Sequence, residues 1–306
     1  MSIRNIEKIW LDGELKSNED AVVHCATNTL HYGLGVFEGI RSYSDGENSY
    51  IFRLDEHVKR LFDSALIMNI TIPYTHDEVK RAIEDTIVAN NLKEAYIKPM
   101  VYLGSESLSL DTREHTVHLM VIAWSAYNYA SNGAQGIKMN VSSFTRHHVN
   151  IAMTKAKANG NYMNSQLALR EAKNAGVDDV FLLDSDGYVS EATGANVFMV
   201  SNGVLYTPEL ANCLNGLTRQ TVMQLAKDAG IEVVSKRITR DELYIADEVF
   251  ITGTAAEILP VCEIDNRTVG KGCVGELTQS FINDYQLMVR AKLPNYTRWN
   301  YKLNIL

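Results

Sequence analysis

The sequence lacks the features that would place it outside ordinary globular proteins. Its 306 residues include only five prolines and four cysteines. Its longest apolar runs, such as residues 117–124, fall short of the roughly 20 residues that a membrane-spanning helix needs. The four cysteines are widely spaced, with no C-x-x-C pair and no histidine at metal-ligand spacing. We therefore expect no membrane span, no metal site, and thiols that are reduced and structural.

An excess of positive charge is also missing. The chain has 29 Lys and Arg against 37 Asp and Glu, giving a net charge of -8, which argues against general attraction to nucleic acid or anionic lipid. The first ten residues alternate charged with apolar side chains, unlike a secretion signal, so we expect a cytoplasmic protein. Nucleotide motifs are absent: there is no G-x-x-x-x-G-K-[ST], and residues 33–39 miss the G-x-G-x-x-G spacing by one position.

Length and patterning predict an α+β protein of two domains. Chains near 300 residues tend to divide their core. The polar stretch 125–136 (SAYNYASNGAQG) has no apolar period and is the best linker candidate, so we expect domains at 1–124 and 137–306. Asp12-Gly13, Asp45-Gly46 and Asn202-Gly203 predict hairpins. Apolar periodicity predicts helices at about 54–70, 77–90, 162–175, 218–229 and 276–290.

Four segments have the composition of a site for one anionic, electron-withdrawing cofactor. In 154–162 (TKAKANGNY), lysines lie among small residues, where desolvation could make an amine nucleophilic. Residues 214–219 and 252–257 are turns whose backbone amides and hydroxyls suit a phosphate. Residues 190–196 place Glu191 before small residues, as a partner for a ring nitrogen requires. Taken singly, each segment also fits a solvated loop, a plain helix cap or a surface glutamate.

In their order along the chain, these segments resemble the branched-chain-amino-acid aminotransferases of pyridoxal phosphate fold-type IV. The resemblance covers residues 8–290 and rests on six motifs: 31–41 (HYGLGVFEGIR), 57–61 (HVKRL), 157–162 (KANGNY), 190–198 (SEATGANVF), 215–219 (NGLTR) and 252–257 (TGTAAE). It implies a small N-terminal α/β domain, a larger β-rich C-terminal domain that carries the reactive lysine, and pyridoxal 5′-phosphate in the cleft between them.

The resemblance also implies the cofactor residues. Lys157, five positions before Tyr162, matches the lysine that forms a Schiff base, and Lys155 falls outside this spacing. Tyr162 matches the partner of the pyridine hydroxyl, and Glu191 that of the pyridine nitrogen. Arg60 matches the phosphate arginine, and the amides and hydroxyls of three further residues join it: Leu217, Thr218 and Thr254.

The implied reaction moves the amino group of leucine, isoleucine or valine to 2-oxoglutarate by a ping-pong mechanism. The implied substrate residues are Tyr32, Phe37, Gly39, Arg41, Tyr96, Lys98, Trp124, Thr254 and Ala255. Of these, Thr254 and Ala255 would receive the α-carboxylate, and Tyr32 would reach the neighbouring subunit's pocket. The minimal unit would be a homodimer, with a hexamer of dimers left open. Alternatives are a D-amino acid transaminase, an aminodeoxychorismate lyase, or a silent homologue that only binds a phosphorylated ligand.

The sequence departs from the family's pattern at three places. The usual Tyr-Ile-Arg-Pro motif is here 96–99 (YIKP), so Lys98 stands where a forked guanidinium would meet the distal carboxylate of glutamate. Ala195 replaces a common glutamate, and the linker around Tyr127 and Tyr129 is about two residues shorter than usual. We expect weaker glutamate binding, with Arg41 or a tyrosine of the linker as the alternative carboxylate contact.

Overall fold

The structure, a computed structural model, describes residues 6–126 and 136–303. Contacts divide them into two units, each combining helices with a sheet. The first comprises residues 6–126, 156–160 and 287–303, and the second comprises 136–155 and 161–286. Tyr127, Tyr129 and most of the predicted linker lie outside the described residues.

The first unit includes segments from both sides of the predicted linker 125–136. Lys157 groups with the first unit because its backbone nitrogen donates to Ser64 Oγ (3.0 Å) and its carbonyl accepts from the Phe37 nitrogen (3.0 Å). The C-terminal strand groups there as well, because it pairs with the strand that contains Tyr50 and Phe52.

Up to residue 126, the helices and strands alternate in an α+β pattern. The strands are β1 (Lys8–Leu11), β2 (Glu14–Ser17), β3 (Gly35–Phe37), β4 (Ile40–Ser44), β5 (Ser49–Phe52), β6 (Ala95–Leu103) and β7 (Val117–Ser125), and the helices are α1 (Asn28–Tyr32), α2 (Leu54–Ile67) and α3 (His76–Ala89).

From residue 136 onward, strands dominate. They are β8 (Ile137–Thr145), β9 (Asp179–Leu183), β10 (Val189–Ala192), β11 (Asn196–Ser201), β12 (Val204–Pro208), β13 (Val233–Lys236), β14 (Glu248–Gly253), β15 (Glu257–Ile264), β16 (Arg267–Thr268) and β17 (Asn300–Lys302). The helices are α4 (Tyr162–Asn174), α5 (Leu217–Asp228), α6 (Arg240–Tyr244) and α7 (Glu276–Val289), with 3-10 turns at Asn159–Asn161 and Pro294–Trp299.

The first unit is built on an eight-stranded antiparallel sheet in the order β17-β5-β4-β6-β7-β1-β2, with β3 paired to β6. One face of the sheet is covered by apolar residues of α2 and α3, including Leu61 and Ile83, which pack on Ile97 and Val121. Because side chains alternate along a strand, Tyr96 and Lys98 lie on the opposite face. Substrate candidates of β6 therefore share one face and are kept out of the core.

The second unit is built on a nine-stranded mixed sheet in the order β10-β9-β8-β15-β14-β11-β12-β13, with β16 at β15. Three strand pairs are parallel: β8 with β9, β8 with β15, and β12 with β13. The helix α4 packs through Ala168 and Ala172 on the buried residues Val180 and Leu182 of β9. This packing fixes the position of the helix that starts at Tyr162.

The predicted turns and long helices agree closely with the structure. Asp12 and Gly13 have φ values of 49° and 97°, as a two-residue turn of type I′ needs, and they join β1 to β2. The sequence does not predict the short helices α1 and α6, because five residues give little helical periodicity. It does not predict the strand β15 either. No helix in the described ranges is both long and apolar enough to cross a bilayer.

Candidate active site

Lys157 lies in an extended segment beside β3, and its side chain faces the Phe37 ring. Ala158 forms an antiparallel bridge with Val36, and the Phe37 amide donates to the Lys157 carbonyl. The flanking Ala156 and Ala158 are buried in the core of the first unit. Small neighbours thus fix the backbone of the lysine, whose Nζ lies 4.9 Å from the Phe37 ring centroid.

Lys98 approaches the same aromatic ring. Its Nζ lies 4.5 Å from the Phe37 ring centroid, within the range of a cation–π contact. Burial lowers the pKa of Lys98, and the charge of Lys157 lowers it further. The structure therefore brings the predicted reactive lysine, Lys98 and Phe37 together in the first unit.

A row of predicted substrate residues crosses the same sheet. Arg41 of β4 pairs with Tyr96 of β6, and Tyr96 pairs with Trp124 of β7, with the two aromatic ring centroids 5.1 Å apart. Gly39 precedes β4, where an added Cβ would lie only 2.1 Å from Tyr96 Oη. A glycine at this position therefore makes room for the tyrosine hydroxyl. The Arg41 guanidinium lies over the Tyr43 ring, 5.0 Å from its centroid.

Arg60 is bound by a carboxylate that the sequence analysis did not single out. Arg60 Nε donates to Glu38 Oε1 (2.6 Å), and its Nη2 donates to Glu38 Oε2 (2.8 Å). Glu38 is 0% exposed, and His57 Nδ1 lies 2.8 Å from its Oε2. This forked contact orients Arg60, the predicted phosphate arginine, from the side of α2 that faces Glu38.

The pKa values of Glu38 and His57 are both shifted from their ordinary values. Burial by itself would raise the pKa of Glu38, but the Arg60 guanidinium, and then His57, hold it well below its usual range. Burial lowers the pKa of His57. His57 is therefore neutral at pH 7, and we assign its proton to Nδ1, from which it donates to Glu38.

Tyr32, which the family pattern directs to a neighbouring subunit, lies at the end of α1. The residue is 49% exposed, and its hydroxyl donates to the Leu108 carbonyl (2.9 Å). The helix ends at Gly33, which has a φ of 77° and approaches Gly160 so closely that a Cβ would lie 3.3 Å from Gly160 Cα. The two glycines thus let the Tyr32 loop pack on the segment that follows Lys157.

In the second unit, Glu191 is a buried carboxylate with a fixed orientation. It lies on β10 and is 6% exposed. Arg146 Nη2 lies 2.7 Å from its Oε1, and the Leu214 amide donates to its Oε2 (3.2 Å). These contacts hold the Glu191 carboxylate in one orientation within the second unit.

The predicted phosphate residues Leu217 and Thr218 form the first turn of α5. The cap residue, Gly216, has an extended backbone and supplies no side-chain acceptor to that turn. It must be small, because an added Cβ would lie 2.0 Å from Asn196 Oδ1. Asn196 in turn donates to the Leu214 carbonyl (2.8 Å). The amides of this helix end are thus arranged for an anion.

Thr254 and Ala255 lie in the tight turn between β14 and β15. Gly253, where the turn begins, approaches the Gly194 carbonyl, which an added Cβ would meet at 3.2 Å. The turn at 252–257 therefore lies next to the turn that follows Glu191. Tyr162 is the first residue of α4 in the same unit.

Lys155 is set apart from the predicted chemistry. The residue is exposed, and its Nζ donates to the backbone carbonyl of Cys213 (3.2 Å). The Lys155 amine therefore binds backbone carbonyl groups of the second unit.

Comparison with known proteins identifies the class. The family model for amino-transferase class IV matches residues 35–264, which is most of the chain. The chain is therefore a class IV aminotransferase.

More specific relatives share the same name. A branched-chain-amino-acid aminotransferase of Pseudomonas aeruginosa is 51% identical over 293 residues, 95% of each chain, and that of Escherichia coli K12 is 42% identical, covering 91% of this chain and 92% of the other. A T.th. branched-chain amino acid aminotransferase crystallised with pyridoxamine 5′-phosphate is 40% identical, with a TM-score of 0.95 over 98% of this chain and 99% of that one. The chain belongs to the branched-chain-amino-acid aminotransferases, and its predicted family, fold class and cofactor are confirmed.

The described residues fit pyridoxal 5′-phosphate. Its phosphate needs amide or guanidinium donors, and the first turn of α5 offers backbone amides within the second unit. Its ring nitrogen needs a buried anion, and Glu191 is one. The sequence motifs do not point to Glu38 as the partner of Arg60, or to Arg146 as a partner of Glu191. Glu38 could have been found, because a glutamate inside the otherwise apolar stretch 36–40 (VFEGI) is expected to be buried and then needs a cation.

Proposed function

We propose that this enzyme transfers the α-amino group of leucine, isoleucine or valine to 2-oxoglutarate, with the two half-reactions following each other in one site. The observation that carries the proposal is the shared sheet face of the first unit. There Phe37, Tyr96 and Trp124 offer apolar surface, and Lys98 offers a cation beside them. Such a face suits a branched aliphatic side chain and, in the other half-reaction, a dicarboxylate.

Bound pyridoxal 5′-phosphate supplies an aldehyde for the amino group and a ring that accepts the electrons left at Cα. The chain's residues do the rest. Lys157 Nζ is proposed to hold the cofactor covalently at rest and, once displaced by substrate, to carry the proton between Cα and the cofactor C4′ as base and then acid. The Phe37 ring beneath Nζ keeps this amine on the substrate face.

The other predicted residues bind and orient. Glu191 holds a proton at the ring nitrogen, and Tyr162 binds the pyridine hydroxyl. Arg60, Leu217, Thr218 and Thr254 bind the phosphate, and Thr254 and Ala255 present amides to the α-carboxylate. Support comes from the buried setting of Glu191 and the oriented guanidinium of Arg60.

A substrate panel tests the proposal. The purified holoenzyme is offered leucine, isoleucine, valine, glutamate and D-alanine as donors, with conversion of the cofactor to its amine form followed by absorbance in the absence of acceptor. We expect conversion by the four L-amino acids and reversal by 2-oxoglutarate. Conversion by D-alanine alone would replace the proposal with a D-amino acid transaminase. No conversion by any of these donors would replace it with the lyase, if aminodeoxychorismate offered separately is consumed, or with the silent binder, if it is not.

Lys98 sets the first quantitative expectation. A lysine offers the distal carboxylate a single mobile charge where arginine offers a fork. Lys98→Arg is therefore expected to tighten glutamate binding by about 1 to 2 kcal/mol, roughly 5- to 30-fold, and to leave leucine unchanged. Single-turnover titrations with each donor measure this, with the exposed Lys93→Arg as the matched control. An unaltered glutamate constant in Lys98→Arg would place the carboxylate contact elsewhere, with Arg41 the next candidate.

The second quantitative prediction concerns Arg60 and the cofactor phosphate. We choose Arg60→Lys, since a lysine keeps a positive charge beside Glu38 and loses the fork. Loss of charge-assisted phosphate bonds is expected to weaken pyridoxal 5′-phosphate binding about tenfold or more, at roughly 1.5 to 3 kcal/mol for each bond. Pyridoxal without the phosphate serves as the control ligand, and its affinity should not change. Equal losses for both ligands would remove Arg60 from the phosphate site.

A homodimer in the cytoplasm is the proposed working form, with a hexamer of dimers as the larger alternative. The exposure of Tyr32 at the end of α1 supports the subunit contact. Light scattering of the purified protein distinguishes a monomer, a dimer and a larger assembly. A monomer that is fully active would contradict the role assigned to Tyr32.

A further inference from the structure

A buried arginine in the second unit contacts Glu191 and the first helical turn of α4, which begins at Tyr162. Arg146 follows β8 and is 8% exposed. Its backbone amide donates to the Leu183 carbonyl (2.8 Å), which fixes the start of the side chain. Its Nη2 lies 2.7 Å from Glu191 Oε1, and its Nη1 donates to Ser165 Oγ (3.2 Å).

Ser165 lies on the helix that Tyr162 begins. The serine is buried on α4, one turn after Tyr162, which starts the helix. Residues three apart on a helix lie on the same side. One guanidinium therefore connects the carboxylate assigned to the ring nitrogen with the helix turn that carries the tyrosine assigned to the ring hydroxyl.

The charges around Glu191 make Arg146 its main partner. Burial, and then the charge of Arg146, lower the pKa of the adjacent His147 to about 4, so that histidine is neutral at pH 7. Lys155 and Cys213 also interact electrostatically with Glu191, but Lys155 donates to backbone carbonyls and the pKa of Cys213 is raised to about 12, chiefly by burial. Arg219, close to Cys213, donates to Thr207, Pro208 and Ser235. Arg146 is thus a cation in direct contact with the carboxylate.

We propose that Arg146 is a positioning residue that keeps Glu191 ionised and thereby keeps the proton of the Glu191–cofactor pair on the ring nitrogen. The inference rests on the proposed role of Glu191. A buried carboxylate without a cation becomes more basic, because burial disfavours its charged form. Without Arg146, the proton moves from the ring nitrogen to a Glu191 oxygen, and the ring loses its power to accept electrons.

The test reads the ring nitrogen directly. Wild type, Arg146→Met, Arg146→Lys, Glu191→Gln and Lys155→Met are loaded with pyridoxal 5′-phosphate labelled with ¹⁵N in the ring, and the nitrogen chemical shift is recorded across pH. We expect a protonated nitrogen in wild type, a mostly neutral one in Arg146→Met, and partial recovery in Arg146→Lys. Lys155→Met removes a nearby cation whose amine binds backbone carbonyls, and it should behave as wild type.

Each contrary outcome has one meaning. If Arg146→Met keeps the wild-type shift while Glu191→Gln loses it, the inference is overturned and the role of Glu191 stands. If neither variant changes the shift, the proposed role of Glu191 itself fails. If Lys155→Met moves the shift as far as Arg146→Met, general charge and not the contact is responsible, and the inference is again overturned. Should Arg146→Met fail to fold, a wild-type shift in Arg146→Lys at every pH would count against it.

Discussion

Replacing Lys157 by alanine is expected to slow turnover by several powers of ten and to leave the fold intact. The change removes both the nucleophile and the proton carrier, and acid–base catalysis alone contributes typically about 10²- to 10⁴-fold. The fold survives because the backbone at this position makes its own hydrogen bonds, to Ser64 Oγ and from the Phe37 amide. Single-turnover kinetics with saturating cofactor, together with a thermal unfolding curve, measure the two effects separately.

Lys155→Ala is the matched control for that experiment. The two lysines are two residues apart, but Lys155 Nζ donates to the Cys213 carbonyl, whereas Lys157 Nζ lies over Phe37. We expect nearly normal turnover in Lys155→Ala. Reduction of the wild-type holoenzyme with borohydride, followed by peptide mapping, should place the cofactor on Lys157. A cofactor on Lys155, or near-normal turnover in Lys157→Ala, would show that the motif is misaligned.

Local patterns predicted those parts of the fold that local physics determines. The turn at Asp12-Gly13 needs positive φ at both residues, and helices such as α3 carry both an apolar stripe and a capping box, here from Thr75 to Glu78. Neither feature depends on distant residues. The grouping of Lys157 with the first unit does, since it rests on hydrogen bonds to residues about 90 to 120 positions away.

The same distinction holds at the candidate site. The motifs predict which residues form the site. They do not predict which partner orients each of those residues. Arg60 meets Glu38 from 22 positions away, and Arg146 meets Glu191 from the segment that follows β8. A buried ionised group must have a partner, and that requirement can be stated from the sequence. The partner's identity depends on tertiary packing, which no local pattern reports.

Glu38→Gln should have the largest effect on stability. The glutamine keeps the shape of the side chain but removes the negative charge that the largely buried Arg60 guanidinium contacts, and breaking such a pair costs about 3 to 5 kcal/mol. Denaturant unfolding at pH 7 measures the loss. Asp63→Asn is the control on the same helix, because its ion pair with Lys59 is exposed and should contribute less than about 1 kcal/mol.

The pH dependence of that loss identifies its cause. Arg60 and His57 hold the pKa of Glu38 well below its ordinary value of 4.5, so the ionised carboxylate stabilises the folded state fully above that pH. As the pH falls below 4.5, the unfolded chain binds a proton that the folded chain does not, and this stabilisation declines. The difference in unfolding free energy between wild type and Glu38→Gln should therefore be constant near neutrality and shrink in acid. A difference that is the same at about pH 3 as at neutral pH would mean that the glutamine disturbs packing, and that the charge of Glu38 does not hold Arg60 in place.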